Sequence, residues 1–216
     1  PVLYGNILAR LTKVPVRVSS ISGLGYVFVA SGLKSKLFRS LIAVMYRIAL
    51  NGASAVIFQN KADRDVLSLM GAIKPFQEVF IRGSGVALDR YAVMPEPSGK
   101  PVVMLISRLL IDKGVGEFVA ASKLLKSKRN DIRMVLVGEI DPGNPNTITN
   151  EQLTSWVDRE LVEHWGYSNA VSEVIAKSNI IVLPSYREGL PKCLIEAAAC
   201  GRAVITTDVP GCRDAI

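Results

Sequence analysis

Two glutamates, Glu188 and Glu196, stand eight positions apart in the stretch YREGLPKCLIEAAACGRAV, residues 186–204. A Gly-Leu-Pro turn and a run of Leu, Ile and Ala separate them. Upstream, NIIVLPS reads as a buried strand ending at Ser185. Ligands of open parallel sheets bind beyond the carboxyl ends of strands, so Glu188 falls in a loop at the functional edge. Pro191 suits the first turn of a helix, where its missing N–H is not needed, and Gly201 suits the C-terminal cap. At ~1.5 Å rise per residue, Glu196 lies roughly 7–8 Å along that helix. The helix mouth offers N–H groups and a positive dipole end, a seat for a phosphate, and Gly189 lets a ligand approach the backbone. Two carboxylates flanking an anion seat make chemical sense if each binds hydroxyls, a sugar on one side and a ribose on the other. The bland reading is a surface loop residue and a paired helix residue. The agreement of strand, loop, Pro start and Gly cap favours the sugar and ribose.

The elements that must position these residues follow a strand–helix rhythm. In the second half, PVVMLISR, IRMVLVGE, NIIVLPS and AVITTD read as strands. Helices are expected over GVGEFVAASKLLKSK, over NEQLTSWVDRELVEHWG with a short extension at its end, over AVSEVIAKS, and from Pro191 to Cys200. Buried apolar strands alternating with helices predict a parallel sheet covered on both faces. The first half repeats the pattern less completely: strands VRVSSI, SAVIFQN and EVFIRGSG, and helices KSKLFRSLIAVMYRIALNG and KADRDVLSLMG closed by Gly52 and Gly71. MPEPSGK, residues 94–100, is the best linker candidate. The expected division is a partial α/β domain over 1–96 and a second over 97–216.

Composition narrows the classes. The 216 residues are 49% hydrophobic, enough for a sizeable core, and no apolar run approaches the roughly 20 residues that cross a bilayer. Three cysteines, all after position 192, form no disulfide framework and point to a reducing compartment; one histidine and no CxxC pair argue against zinc. The chain starts at Pro1 and stops at Ile216 soon after a strand pattern, so a piece of a longer protein is expected. The net charge of +7 is carried by residues 1–99, with 12 Lys+Arg against 5 Asp+Glu, whereas residues 100–216 carry 14 of each. A basic first half suits either an anionic partner or a solvated basic surface. No RNA motif and few clustered aromatics accompany the charge, so no nucleic-acid partner is expected.

The segment PSYREGLPKCLIEAAACGRAVITTDVPGCRDAI resembles the signature of retaining GT-B glycosyltransferases of the family 4 type, whose E-x7-E hallmark is matched by Glu188 and Glu196. ISRLLIDKGVGEFVAA resembles the family's Arg-x4-Lys-Gly segment through Arg108, Lys113 and Gly114. VLVGE matches a strand ending at Gly138, GSGVALDRY resembles the interdomain segment, and SGLGYVF (22–28) resembles a subgroup that builds bacterial surface polysaccharides. The resemblance implies two Rossmann-like domains with parallel sheets, the first truncated. It implies a nucleoside-diphosphate-sugar donor, by family habit a UDP-sugar, no metal and no separate cofactor, and a lipid-diphosphate-linked saccharide acceptor. The expected place is the cytoplasm, at the inner face of the plasma membrane. By the same resemblance Arg108 and Lys113 hold the diphosphate, Glu188 the donor-sugar hydroxyls and Glu196 the ribose. The backbone of Gly189 and Leu190 touches sugar or phosphate, and the region 165–167 meets the base. Chemistry agrees: negative charge grows on the departing diphosphate, and fixed cations aimed there lower the barrier. Read alone, Arg108 and Lys113 could equally be two solvated charges after a strand. Ser22 stands where many members carry a His, and the Gly-rich loop of the first domain is missing. Two other readings stay open, a non-catalytic donor-binding subunit and a sugar-nucleotide epimerase of the same architecture.

DRD, Asp63 to Asp65, fits a metal-binding Asp-x-Asp but stands at a helix start, where acids serve as caps; His164 reads as structural. Residues 34–50 mix bases with apolar side chains, as a membrane-surface helix or a core helix with a basic outer face would. If the helix meets lipid, neutralising Lys34, Lys36 and Arg39 weakens sedimentation with anionic vesicles; unchanged binding removes the idea.

Overall fold

The computed structural model describes residues 2–24, 33–128 and 131–216, with the backbone alone for 33–37. Positions 25–28 of SGLGYVF and the side chains of Lys34 and Lys36 lie outside the described residues. Contacts divide the chain into two compact units. The first comprises Pro1–Ser84, Arg187–Pro191 and Pro210–Asp214. The second comprises Gly85–Tyr186, Lys192–Val209 and Ala215–Ile216.

In the first unit the order is α1 (Val2–Leu11), β1 (Val18–Ile21), α2 (Leu33–Leu50), β2 (Ala55–Phe58), α3 (Lys61–Leu69) and β3 (Glu78–Phe80). The three strands form one parallel sheet in the order β1-β2-β3, with Val18 opposite Ala55 and Val56 opposite Glu78. Ile21, Leu50, Val56, Phe58 and Leu67 make its core. Sequence periodicity did not indicate α1. Tyr4, Leu8 and Leu11 are exposed, and the one buried residue of the helix is the polar Asn6, whose amide donates to the Ser19 hydroxyl. Val2 packs on that core beside it.

The second unit contains β4 (Val102–Ile106), α4 (Val115–Lys126), β5 (Arg133–Val137), α5 (Asn150–Asp158), β6 (Glu163–His164), α6 (Val171–Ala176), β7 (Ile180–Leu183), α7 (Lys192–Ala199) and β8 (Ala203–Thr206). All pairings are parallel, in the order β6-β5-β4-β7-β8. Central β5 is buried from Met134 to Val137, as a strand covered on both faces requires. One core forms where α4 lays Val115, Phe118 and Val119 against Leu105 and Leu136. Within NEQLTSWVDRELVEHWG the helix stops at Asp158, and the extension after it holds a short strand. Glu160 takes a left-handed φ of 52°, Val162 turns inward, and Glu163–His164 adds to the sheet edge, where Arg133 holds the Glu163 carboxylate through two bonds of 2.7 Å.

Residues 85–100 carry no helix or strand, yet they are tied to the second unit. Buried Arg202 donates to the carbonyls of Met94 (2.7 Å), Pro95 (3.0 Å) and Ala176 (3.0 Å), the last at the carboxyl end of α6 where a cation is favoured. Asn179 reaches Glu96 at 2.8 Å and accepts from the Val102 N–H at 2.9 Å.

The strand order reverses between β4 and β7, so the loops leaving these two neighbours diverge and open a crevice at their carboxyl ends. Gly114 closes the β4 loop at φ +76°, with its α-carbon packed on Pro184; a Cβ there would overlap the Pro184 carbonyl. Gly114→Ala should therefore cost about 1–3 kcal/mol of unfolding free energy. Gly116→Ala, in an exposed first turn of α4 with open space around it, should gain up to about 1 kcal/mol. Urea midpoints of the two variants check the contrast, and equal shifts would contradict it.

Candidate functional site

The crevice at the strand reversal is built by alternation in the β4 loop. Leu109 and Leu110 are buried and fix the loop, while Arg108 between Ser107 and Leu109 turns outward with 63% of its side chain exposed. The Ser107 N–H bonds Val137 O at 3.0 Å and the Leu109 N–H bonds Glu139 O at 2.9 Å, so the loops after β4 and β5 run together. A single 3-10 turn, Ile111–Lys113, then leads through Gly114 into α4. Its Asp112 carbonyl accepts the Tyr186 N–H at 2.9 Å and the Ser185 hydroxyl at 3.0 Å. The Tyr186 hydroxyl donates to Glu117 on α4, and the Thr207 hydroxyl donates to Ser185 O. The loop bearing Arg108 and Lys113 is thereby fastened to the loop that follows β7.

Beside it lies a cavity of about 460 Å³, lined by Ser107, Arg108, Gly138, Asp141, Tyr167 and Val171 among others. Two of the expected site residues, Arg108 and Gly138, meet there. Gly138 has φ +140°, and a Cβ would overlap Ser107 O. Its N–H is already given to Gly166 O at 2.8 Å and its carbonyl lies 2.8 Å from His164 Nε2, so it contributes open space rather than a free donor. Arg108 Nη1 pairs with Asp141 Oδ2 at 2.8 Å, a partner sequence reasoning missed. The available signal was an acid three positions after the strand-ending Gly138, at the start of a Pro-Gly turn. In the region expected to meet a base, the Trp165 indole donates to Glu163 at 3.0 Å and its ring lies 5.7 Å from the Arg133 guanidinium carbon, while Tyr167 lines the cavity.

Glu188, Gly189 and Leu190 belong with the first unit. The Glu188 N–H bonds Pro210 O at 3.2 Å, and the Asn60 amide donates to Gly189 O at 2.9 Å and Glu188 O at 3.3 Å. Gly189 lies against the Ser22 carbonyl. Of the DRD acids, Asp63 is fully buried and paired with Arg187, and Asp65 pairs with Arg64 at 2.6 Å. The cap of α3 is Asn60, whose side chain accepts the Asp63 N–H, not the acids themselves.

Glu196 lies in α7 and is 5% exposed. Its Oε1 accepts the Tyr91 hydroxyl at 2.5 Å and lies 3.2 Å from Lys192 Nζ one turn earlier. Burial and then the bond to Glu196 push the Tyr91 phenol up to about 12. The folded state thus keeps a proton that the unfolded chain releases near its ordinary value of 10.0. Stability should fall as pH climbs from about 10 to about 12, and fall less in Tyr91→Phe. Urea titrations across that range check this; identical slopes would contradict the bond.

Residues 100–216 match the family described as glycosyl transferases group 1. Over 99% of its length the chain is 32% identical to the N,N'-diacetylbacillosaminyl-diphospho-undecaprenol alpha-1,3-N-acetylgalactosaminyltransferase of Campylobacter jejuni, and covers 58% of that protein. It is 24% identical, over 99% of its length and 58% of the relative, to the capsular polysaccharide biosynthesis glycosyltransferase CapM of Staphylococcus aureus. It spans a little over half the length of these relatives. A crystal structure of Anabaena Alr3699/HepE in complex with UDP and glucose superposes with a TM-score of 0.78 at 18% identity, covering 99% of this chain and 58% of that one. That likeness shows the fold, the α/β, parallel-sheet GT-B class expected from the sequence. The chain belongs to the group 1 glycosyl transferases.

Proposed function

We propose that the protein moves a sugar from a nucleoside-diphosphate sugar to a lipid-diphosphate-linked saccharide, with retention at the anomeric carbon, in bacterial polysaccharide or glycan assembly. The observation that carries this reading is the fastening of the Arg108–Lys113 loop to the loop after β7 through the Asp112 carbonyl, beside a cavity at the strand reversal. Family membership and the relatives' names, one with a diphospho-undecaprenol acceptor and one for capsular polysaccharide, support the substrate classes.

In this reading the nucleoside occupies the cavity beside Gly138 and the diphosphate takes Arg108 and Lys113. The Arg108–Asp141 pair is solvent-exposed, and such pairs contribute about 0–1 kcal/mol. A diphosphate carries more negative charge than one carboxylate and offers the same guanidinium two parallel charge-assisted bonds in place of the single 2.8 Å contact to Asp141, so it displaces the carboxylate. Charge accumulating on the leaving oxygens then meets a cation already in place. Tyr91 and Lys192 both engage Oε1 of Glu196, which leaves Oε2 to accept from the ribose diol. Glu188, with the Gly189–Leu190 backbone, holds the donor sugar.

The acceptor's lipid calls for an interface. No helix among the described residues is long and apolar enough to cross a membrane. On α2, Phe38, Leu41, Val44 and Ile48 are exposed on a helix that also carries Arg39 and Arg47, a combination suited to an anionic surface.

Thermal shift against UDP, UDP-glucose, UDP-N-acetylgalactosamine, ADP and GDP tests the reading. Ligand at 100 times its dissociation constant adds about 2.7 kcal/mol to the folded state. One nucleotide series should raise the melting temperature, and Arg108→Ala and Glu196→Ala should each weaken that ligand by about tenfold or more. No shift with any nucleotide, or full shifts in both variants, would overturn the assignment.

A further inference from the structure

The DRD acids of the sequence have no place in the chemistry above, yet Asp63 is one of the most deeply buried charged groups in the protein, at 0% exposure. Its surroundings explain the burial. Oδ1 receives Arg187 through Nε at 3.2 Å and through Nη2. Oδ2 receives the Asn60 amide at 3.1 Å. A buried carboxylate is tolerated when paired and hydrogen-bonded, and here both oxygens are engaged.

Asn60 is also fully buried, and its orientation is decided by its neighbours. Oδ1 accepts the Asp63 N–H at 2.8 Å as the cap of α3, so Nδ2 must face the other way. There it meets Asp63 Oδ2, Gly189 O and Glu188 O, at 3.1, 2.9 and 3.3 Å. One amide thus joins the first turn of α3 to two successive carbonyls of the Glu188 loop, and Asp63 holds the side chain just before them. The opposite side is closed as well. Gly189 rests on Ser22 O, Gly211 packs on the Glu188 carbonyl, and the Glu188 N–H is taken by Pro210 O.

We propose that Asn60 and Asp63 are positioning residues that hold the backbone of residues 187–189, and through it the carboxylate of Glu188. The second half of this proposal rests on Glu188 being the group that holds the donor sugar. The structural logic is that a loop carboxylate beside a reacting carbon has rotamer and backbone freedom, and a misplacement of 1 Å costs up to about 100-fold in rate. A buried Asn–Asp–Arg set removes the backbone part of that freedom without itself touching the donor.

Asn60→Ser tests this without removing the helix cap, because serine caps as well as asparagine but is too short to reach Glu188 O and Gly189 O. Arg187→Lys keeps a positive charge beside Asp63 but loses the planar fork. Hydrogen exchange by mass spectrometry on peptides covering 187–190 should quicken by about tenfold in Asn60→Ser, with α4 and β5 unchanged. The kcat for UDP-sugar turnover should fall by about tenfold or more while the dissociation constant of UDP stays within about twofold. Arg187→Lys should fall between wild type and Asn60→Ser on both readouts. Unchanged exchange at 187–190 overturns the hold on the loop. Faster exchange with unchanged kcat overturns its link to Glu188. A wild-type protein that binds no nucleotide and transfers no sugar would instead bring down the proposed function, and exchange would still decide whether Asn60 holds the loop.

Discussion

The second unit depends on one backbone carbonyl. Asp112 O accepts both the Tyr186 N–H and the Ser185 hydroxyl, and so joins two loops that the reversal of strand order sends apart. Diverging loops at such a reversal give a crevice in any doubly wound sheet. Here the crevice walls are fixed to each other, with Gly114 permitting the close approach to Pro184 and the Tyr186 hydroxyl reaching Glu117. A cation on a fastened loop can meet developing charge without first being ordered, which is the physical content of preorganisation.

Two ion pairs in the protein illustrate how burial separates exchangeable from structural charge. Arg108–Asp141 is exposed and contributes little to folding, so a better anion can take its place. Arg187–Asp63 is enclosed, with side-chain exposures of 14% and 0%, and removing either partner would strand a charge away from water. The first lies beside the cavity at the strand reversal and the second beneath the loop that carries Glu188. Arg202 adds a third solution, a buried guanidinium satisfied by at least three backbone carbonyls, which ties residues 94–95 to the end of α6.

Much of this architecture was legible from apolar runs and their punctuation. PVVMLIS, RMVLVG and NIIVLP are short, branched and bounded by Gly or polar residues, and became the central strands β4, β5 and β7. Gly52, Gly71 and Gly201 end helices in left-handed conformations, as their positions suggested. What stayed hidden had no periodic signature. β6 is only two residues long, beside buried Val162 and with Glu163 bonded to Arg133 on the neighbouring strand. α1 has the polar Asn6 as its most buried residue, bonded to Ser19. At the site, the strand ends and glycines were readable because backbone geometry demands them. Asp141, Tyr91 and Asn60 were not, since their importance lies in partners 33, 105 and 129 positions away along the chain. By local sequence the acids of DRD suit metal binding or capping, whereas Asp63 is partnered by an arginine 124 residues downstream.

The central claim is that a nucleoside diphosphate is held at the strand reversal of the second unit. A crystal structure of the protein with UDP tests it most directly. The account predicts the nucleoside in the cavity beside Gly138, the diphosphate within hydrogen-bond distance of Arg108 in place of Asp141, and a ribose hydroxyl on Glu196. UDP bound elsewhere, with the Arg108–Asp141 pair intact, would contradict it.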